Sequence, residues 1–274
     1  MSKTLYVFSG SVWAAVPELA VAELGYPEGA ITTKVVNLVE GENFAPSFIK
    51  LNPNATVPTL EANGTVYTDT TSVVAALVKD APVKVAPGTA LIQTIHEQKY
   101  DPNFAMVLAR NEAELTAKGS GIAGMFLGNR QAALEKYSQG PDAEPHKAFY
   151  EAKIAQNGGL LAIFTGKAPE EAKAGFFTRS QAHFDSVKSA VLEVFPGVLP
   201  ASGFIGGETP GEDDFHLAAW LTRVAATVGA KSGDNALAAF EAAYGTPVPT
   251  KVAAYWGAWI VRPSWKKVYA SGLH

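Results

Sequence analysis

The chain has 274 residues, 47% hydrophobic and 18% charged, which is typical of a soluble globular protein with one large or two smaller domains. Lys and Arg number 22 against 26 Asp and Glu; the net charge of −4, without any basic block, predicts no nucleic-acid partner. The sequence has no cysteine, which excludes disulfides, thiolate metal sites and cysteine nucleophiles. The five histidines show no metal-ligand spacing, so we expect no metal cofactor.

The first forty residues show a strand, a helix and a second strand. Residues 5–8 form a short β-rich apolar run, and Ser9-Gly10-Ser11 has the composition of a turn. Helical spacing follows over 17–24, with Pro17 expected in the first turn, where its missing N–H costs little. Residues 34–39 form the second strand, which should lie parallel to the first through a right-handed crossover.

Residues 52–79 predict a loop, a hairpin and a capped helix, after a short helical or irregular piece over 44–50. The hairpin strands are 59–60 and 65–67, joined by Asn63-Gly64, a strong turn signal. A helix is predicted over 69–79, with Asp69 at its N-terminus as the cap. The order β-α-β, β-β-α predicts a small α/β layer with a mixed sheet.

The pattern becomes helical after a proline-rich segment. We expect residues 1–80 to form the α/β domain, 81–89 a linker and 90–274 an all-helical domain. The predicted helices span roughly 90–117, 120–138, 145–165, 178–195, 212–229, 234–244, 248–262 and 264–270.

This layout resembles the cytosolic glutathione transferases, in particular serine-type members such as a fungal class, over essentially the whole chain. The resemblance rests on Asn52-Pro53, Val57-Pro58, the acidic and hydroxyl pair Asp69-Thr70, and two C-terminal motifs. These motifs are Gly211-Glu-Asp-Asp-Phe-His, with Asp214 at the family's buried aspartate, and Arg262-Pro-Ser-Trp-Lys. The resemblance implies a thioredoxin-like βαβ-ββα domain followed by a helical bundle, and a homodimer.

The resemblance also implies a binding site for glutathione as co-substrate. A cis bond before Pro58 turns the backbone of Val57 outward to pair with the cysteinyl residue of glutathione. The helix N-terminus at Thr70 attracts the γ-glutamyl carboxylate, and Asp69 attracts the ammonium group. Two residues of the site depart from the family: Ala55 stands where glycine is common, and Asp69 is shorter than the usual glutamate. Gly211 replaces a capping Ser or Thr, so we expect Gly211 backbone geometry or Asp213 to cap the helix predicted over 212–229.

The family presents the glutathione thiol as a thiolate, which a hydroxyl donor at the start of the first helix stabilises. Ser11 is the expected donor; Ser9 is the alternative, and Tyr6, in the strand, fits the tyrosine-type location less well. Both serines also suit a purely structural role as helix caps. Without cysteine, the chain cannot form a mixed disulfide with glutathione.

The expected function is therefore attack of glutathione on a small hydrophobic electrophile, or peroxide reduction, as in detoxification. The alternatives are a non-catalytic binding or regulatory relative and a carrier of hydrophobic ligands. Candidates for the wall of the second-substrate site are Tyr100, Phe104, Met106, Met125 and Phe126, whose spacing equally suits helix packing. Without a signal region or an apolar span, we expect a cytoplasmic protein with no membrane partner.

Overall fold

A computed structural model describes residues 3–274, except for the side chain of Phe104. A four-stranded sheet lies at the N-terminal end, with strands β1 (Lys3–Val7), β2 (Ile31–Val35), β3 (Thr59–Ala62) and β4 (Thr65–Tyr67) in the order β2-β1-β3-β4. Strands β1 and β2 are parallel, whereas β3 is antiparallel to both β1 and β4. The predicted mixed sheet is confirmed.

Helices α1 (Val12–Glu23) and α3 (Thr70–Asp80) pack against each other beside this sheet, and the short helix α2 (Pro46–Leu51) precedes the hairpin. Leu5, Val7 and Leu60 are buried in the cluster that includes the apolar residues of α1 and α3. The start of the first helix was predicted wrongly. The helix begins five residues before Pro17, which lies in its interior because the tertiary packing of Ala14, Ala15 and Val16 outweighs the lost hydrogen bond.

The rest of the chain is helical. Its helices are α4 (Leu91–Ile95), α5 (Pro102–Val107), α6 (Glu112–Gly119), α7 (Ile122–Ser138), α8 (Lys147–Phe164), α9 (Glu170–Ser189), α10 (Glu212–Thr227), α11 (Ala236–Tyr244), α12 (Thr250–Ile260) and α13 (Pro263–Val268). A π-helical segment, Ala190–Val194, continues α9. None of the helices within residues 3–274 is long and apolar enough to cross a membrane.

The prediction of a single helix over 90–117 is wrong. The structure breaks it into α4, a 3-10 turn at Gln98–Tyr100, α5 and α6. Asp101 begins α5 because its carboxylate accepts the N–H of Asn103, and Pro102 occupies the first helical position. Asn111 caps α6 in the same way, through the N–H of Glu114. Two local capping residues therefore divide a segment whose apolar periodicity is continuous.

Helix α10 forms the centre of the principal core. Its residues Phe215, Leu217 and Trp220 are buried in the same cluster as the apolar face of α1, and α10 packs directly on α1. Because this core continues from the α/β unit into the helical part, the division at residues 80 and 90 stays a prediction.

The start of α10 is anchored by three consecutive acidic residues. Asp214, fully buried, accepts hydrogen bonds from the N–H groups of Ile205 (2.9 Å), Gly206 (2.8 Å) and Gly211 (2.8 Å). Gly211 is the N-cap residue, as expected, whereas Asp213 does not cap the helix. Its carboxylate instead binds the N–H and hydroxyl of Thr89, while Glu212 accepts the N–H of Gly88.

The C-terminal motif fastens the far end of α1. Arg262 donates to both carboxylate oxygens of Glu23, at 2.7 and 2.5 Å, and the hydroxyl of Ser264 donates to the same carboxylate. These charged hydrogen bonds lower the pKa of Glu23, although burial opposes them. The two ends of α1 are thus held by different parts of the chain, and its N-terminal end borders the candidate site.

Candidate functional site

The loop before β3 is organised by one buried amide, that of Asn52. Its Nδ2 donates to the carbonyl oxygens of Thr56 (3.0 Å) and Thr68 (3.1 Å) and to the hydroxyl of Thr59 (2.8 Å). Its Oδ1 accepts the N–H of Asn54 at 2.9 Å. One fully buried side chain therefore joins the residue before Val57 to the residue before Asp69.

The peptide bond between Val57 and Pro58 is cis, which confirms the expectation from the family resemblance. Within residues 3–274, neither the N–H nor the C=O of Val57 has a hydrogen-bond partner. Backbone groups at a strand entry are normally paired, so this bare pair offers a bidentate contact to an extended peptide. Ala55 in the same loop adopts a left-handed φ of 52°, which explains why glycine is common at this position.

The N-terminus of α3 is the second part of the site. Asp69 caps it by accepting the N–H of Ser72 at 2.9 Å, and its other carboxylate oxygen accepts the Ser72 hydroxyl at 2.7 Å. The N–H groups of Thr70 and Thr71 and the Thr70 hydroxyl have no partner within residues 3–274. Free N–H groups at the positive end of a helix bind a carboxylate. The exposed Asp69 adds a negative charge at the same end.

Ser11 lies at the N-terminus of α1 with an unused hydroxyl proton. Its Oγ accepts the N–H of Ala14 at 3.3 Å, which makes it the N-cap. The hydroxyl donates to no acceptor within residues 3–274, and the residue is 8% exposed. The capping role and a donor role are compatible, since one hydroxyl both accepts and donates.

The two alternative donors occupy different environments. Ser9 is exposed in the turn. Tyr6 donates its hydroxyl to Glu61 at 2.6 Å and packs edge-on against Phe48. Burial, together with the Glu61 contact, raises the pKa of Tyr6 to about 12. Its proton is therefore committed to a carboxylate.

A polar and aromatic cluster lies between the start of α1 and helix α10. Trp13 stacks on His96, with ring centroids 4.0 Å apart, and donates its indole N–H to Asp101 at 3.2 Å. His96 makes a hydrogen bond of 2.8 Å to His216 on α10. Burial lowers the pKa of His96 to about 4, and the nearby charge of Asp69 opposes that shift. Burial also lowers the pKa of His216, so both imidazoles are neutral at pH 7. Trp13 is half-buried and lies beside Ser11.

Arg223 on α10 is a residue of this region that the sequence analysis did not single out. Its guanidinium donates to the carbonyl oxygen of Gly10 at 2.6 Å, directly before Ser11. The sequence does contain an indication of its importance, because Arg223 is the single Lys, Arg, Asp or Glu in the apolar stretch 215–227. A lone cation inside a buried helix demands a specific partner.

The candidates for the second-substrate wall are dispersed. Tyr100 is buried in the principal core, and its carbonyl oxygen accepts the indole N–H of Trp220. Met106 lines a cavity on α5 and α10, whereas Met125 is 52% exposed on α7. Phe126 lies near Arg130, and the side chain of Phe104 lies outside the described residues. Of the four whose side chains are described, only Met106 lines the same cavity as Arg223.

Comparison with known proteins agrees with this architecture. The family model described as "Glutathione S-transferase, N-terminal domain" matches residues 5–86. Among solved structures, beta-etherase LigF from Sphingobium sp. strain SYK-6 is 15% identical with a TM-score of 0.58, covering 99% of this chain and 100% of that chain. Poplar glutathione transferase F1 is 14% identical with a TM-score of 0.55, covering 99% and 98%. None of the curated proteins matches the sequence.

These findings define the class of fold. The structural similarities extend over whole chains, and they confirm the predicted thioredoxin-like unit followed by a helical part. Identities of 14% and 15% show the fold alone. Residues 5–86, which are similar to that family model, include Ser11, Val57, Asp69 and Thr70, whose roles stay predictions.

Proposed function

We propose that the protein is a glutathione transferase that activates the glutathione thiol as a thiolate for attack on small electrophiles. The observation that carries the proposal is the bare backbone of Val57, tied through Asn52 to the free N-terminus of α3. This arrangement suits a peptide that presents an extended backbone at one end and a carboxylate at the other. Glutathione has this chemistry, with its γ-glutamyl group at Asp69 and Thr70.

Ser11 supplies the activating hydrogen bond in this proposal. A thiol of pKa about 8.5 is mostly protonated at neutral pH, and a hydroxyl aimed at sulfur favours the anion. The dipole of α1 acts in the same direction, because Ser11 is its N-cap. The thiolate then attacks an electrophilic carbon or a peroxide oxygen, and the displaced group leaves with the electron pair.

The larger organisation is part of the same proposal. We propose that 1–80 and 90–274 are two domains joined by 81–89, that the chain forms a homodimer, and that it acts in the cytoplasm. The contacts of Glu212 and Asp213 with Gly88 and Thr89 support a linker held firmly against α10. A fixed linker keeps a site between the two parts in constant geometry.

Calorimetric titration with glutathione tests the binding half of the proposal. Thr70→Val removes the hydroxyl from a buried position and keeps the side-chain shape, whereas Thr71→Val makes the same change at an exposed neighbour. We expect the Thr70 variant to bind glutathione about tenfold more weakly and the Thr71 variant to bind as the wild type does. No binding at millimolar glutathione would refute the proposed function.

Turnover of 1-chloro-2,4-dinitrobenzene tests the catalytic half. We expect Ser11→Ala to lower kcat/KM by about a hundredfold, and Ser9→Ala to have little effect. Binding of glutathione without turnover by the wild type would favour the alternatives of a regulatory relative or a ligand carrier.

A further inference from the structure

A cavity of about 200 Å³ lies between α5, α6 and α10. Its walls are Ala105, Met106, Lys118, Arg223, Ala226 and Thr227. An apolar cavity of about 150 Å³ accommodates benzene, so this one has room for a single substituted ring. Ala105, Met106, Ala226 and Thr227 are only partly buried, which leaves the cavity open to solvent on one side.

Arg223 brings to this cavity a buried positive charge that has no ion-pair partner within residues 3–274. The residue is 7% exposed, and its Nε is buried without a hydrogen-bond partner within residues 3–274. Over the same residues no carboxylate lies within ion-pair distance of its guanidinium, whose one hydrogen bond is to the Gly10 carbonyl. Burial of an unpaired guanidinium is costly, so its retention here indicates a partner that the chain itself does not provide.

Nearby Asp101 does not supply that partner. One of its carboxylate oxygens accepts the indole N–H of Trp13 and the N–H of Asn103. Its charge influences Arg223 only at longer range, and the net effect of burial is to lower the pKa of the guanidinium. The imidazole of His274 and the hydroxyl of Tyr269, whose charge states are coupled to Arg223, carry no negative charge at neutral pH.

Lys118 places a second cation in the wall. Its Nζ donates to the carbonyl oxygens of Ala105 (2.8 Å) and Leu108 (2.5 Å) at the end of α5. An ammonium group has three protons, so one remains for a ligand. Burial lowers the pKa of Lys118, against the attraction of Glu114. The cavity thus combines a small apolar wall with two partly desolvated cationic side chains, Lys118 and Arg223.

We infer that this cavity is the binding site of the second substrate, and that it selects a small electrophile carrying a carboxylate or another anionic group. The inference rests on the proposed function, because Arg223 also holds Gly10 next to the proposed thiol donor Ser11. The anionic group pairs with Arg223 and Lys118, and the ring or chain lies against Met106 and Ala226. Such pairing fixes the orientation of the electrophile in the cavity.

Direct binding tests the anion selectivity without any reaction. The probes are 3,5-dinitrobenzoate and 1,3-dinitrobenzene, which differ only in the carboxylate, titrated calorimetrically into the wild type with and without glutathione. We expect the carboxylate to bind at least about tenfold more tightly, which corresponds to about 1.4 kcal/mol. Equal affinity for the two probes would overturn the inference.

Variants locate the site. Arg223→Met and Lys118→Met should each raise the dissociation constant of 3,5-dinitrobenzoate about tenfold, whereas Arg223→Lys retains the charge and should recover much of the loss. Lys167→Gln removes an exposed charge from the α8–α9 connection and serves as the matched control. If Arg223→Met does not fold, the Lys118 variants and the wild-type probe pair still decide. Unchanged affinity in Lys118→Met would contradict the assigned site.

A kinetic arm connects the cavity with conjugation. The substrates are 4-chloro-3,5-dinitrobenzoate and 1-chloro-2,4-dinitrobenzene; in each, a C–S bond forms, the C–Cl bond breaks, and chloride leaves with the electron pair. We expect Lys118→Met to lower the ratio of kcat/KM for the anionic over the neutral substrate by about tenfold. A ratio that stays the same would overturn the inference.

The outcomes separate this inference from the proposed function. Tight binding of 3,5-dinitrobenzoate by a protein that does not bind glutathione would refute the proposed function and leave the anion site in place. Glutathione binding without any preference for the carboxylate probe would overturn the anion site and leave the proposed function in place. Competition between glutathione and 3,5-dinitrobenzoate would show that the cations hold a carboxylate of glutathione itself, and would also overturn the inference.

Discussion

Replacement of Asn52 by alanine should damage both the stability of the fold and the affinity for glutathione. The side chain is fully buried and joins Thr68 to Thr56 and Thr59, of which the last two are also joined directly by the Thr59 hydroxyl. Because Thr56 precedes Val57 and Thr68 precedes Asp69, the loss affects both halves of the proposed glutathione site. The substitution thus tests the link between local structure and function.

The magnitude follows from the hydrogen bonds of Asn52. The two protons of its amide serve three oxygens, and its own oxygen accepts the N–H of Asn54. The two donated protons and the one accepted N–H count as three hydrogen bonds, which at about 1 kcal/mol each give a loss of about 3 kcal/mol in the free energy of unfolding. For a chain of this size, each kcal/mol lowers the melting temperature by about 2–4 °C, so the shift is about 6 °C or more.

Equilibrium urea unfolding and calorimetric titration with glutathione measure the two effects. Asn54→Ala is the matched control, because Asn54 is exposed and only its backbone N–H takes part in the network. We expect Asn52→Ala to bind glutathione at least about tenfold more weakly and Asn54→Ala to match the wild type. If the two variants have the same stability and affinity, the reasoning about this amide is refuted.

Two further predictions concern buried carboxyl groups. Asp214→Asn replaces an acceptor oxygen by a donor in front of buried N–H groups, so the free energy of unfolding in urea should fall by about 3 kcal/mol. The exposed Asp234→Asn should leave it almost unchanged, and equal losses in the two variants would contradict the capping role. Burial raises the pKa of Glu18 to about 7, so the folded state binds its proton more tightly, and the free energy of unfolding should fall as pH rises from about 4.5 to about 7. Glu18→Gln should flatten that decline and the exposed Glu28→Gln should not; the same slope in both variants would refute the assignment.

The sequence predicts the hairpin and helix α3 well because their signals are local, whereas the strand predicted over 34–39 lies at Ile31–Val35. Asn63-Gly64 adopts positive φ at both residues, and strands β3 and β4 pair across it as that dipeptide requires. Asp69 caps α3 through the N–H of Ser72, three residues on. Each of these features depends on a few neighbouring residues.

The errors arise where tertiary contacts or isolated caps decide the outcome. Pro17 indicates a helix start, but burial of the preceding turn extends α1 to Val12. Asp101 and Asn111 divide a helical pattern through caps that periodicity does not reveal.

The candidate site is predictable only in part, for the same reason. Val57, Asp69 and Thr70 lie in one short segment, whereas the side chain that contacts the backbone directly before Ser11 comes from the remote helix α10. Arg223 reaches Gly10 across 213 positions of sequence. No local pattern specifies such a contact, although a lone arginine in an apolar helix indicates that one exists.

The pKa of the bound glutathione thiol tests the central claim most directly. Ultraviolet thiolate absorbance of the glutathione complex, recorded against pH, gives this value for the wild type, Ser11→Ala and Ser9→Ala. We expect the wild type and the Ser9 variant to hold the pKa at least one unit below the free value of about 8.5, and Ser11→Ala to return it toward that value. Equal thiol pKa values in the wild type and Ser11→Ala would contradict the account.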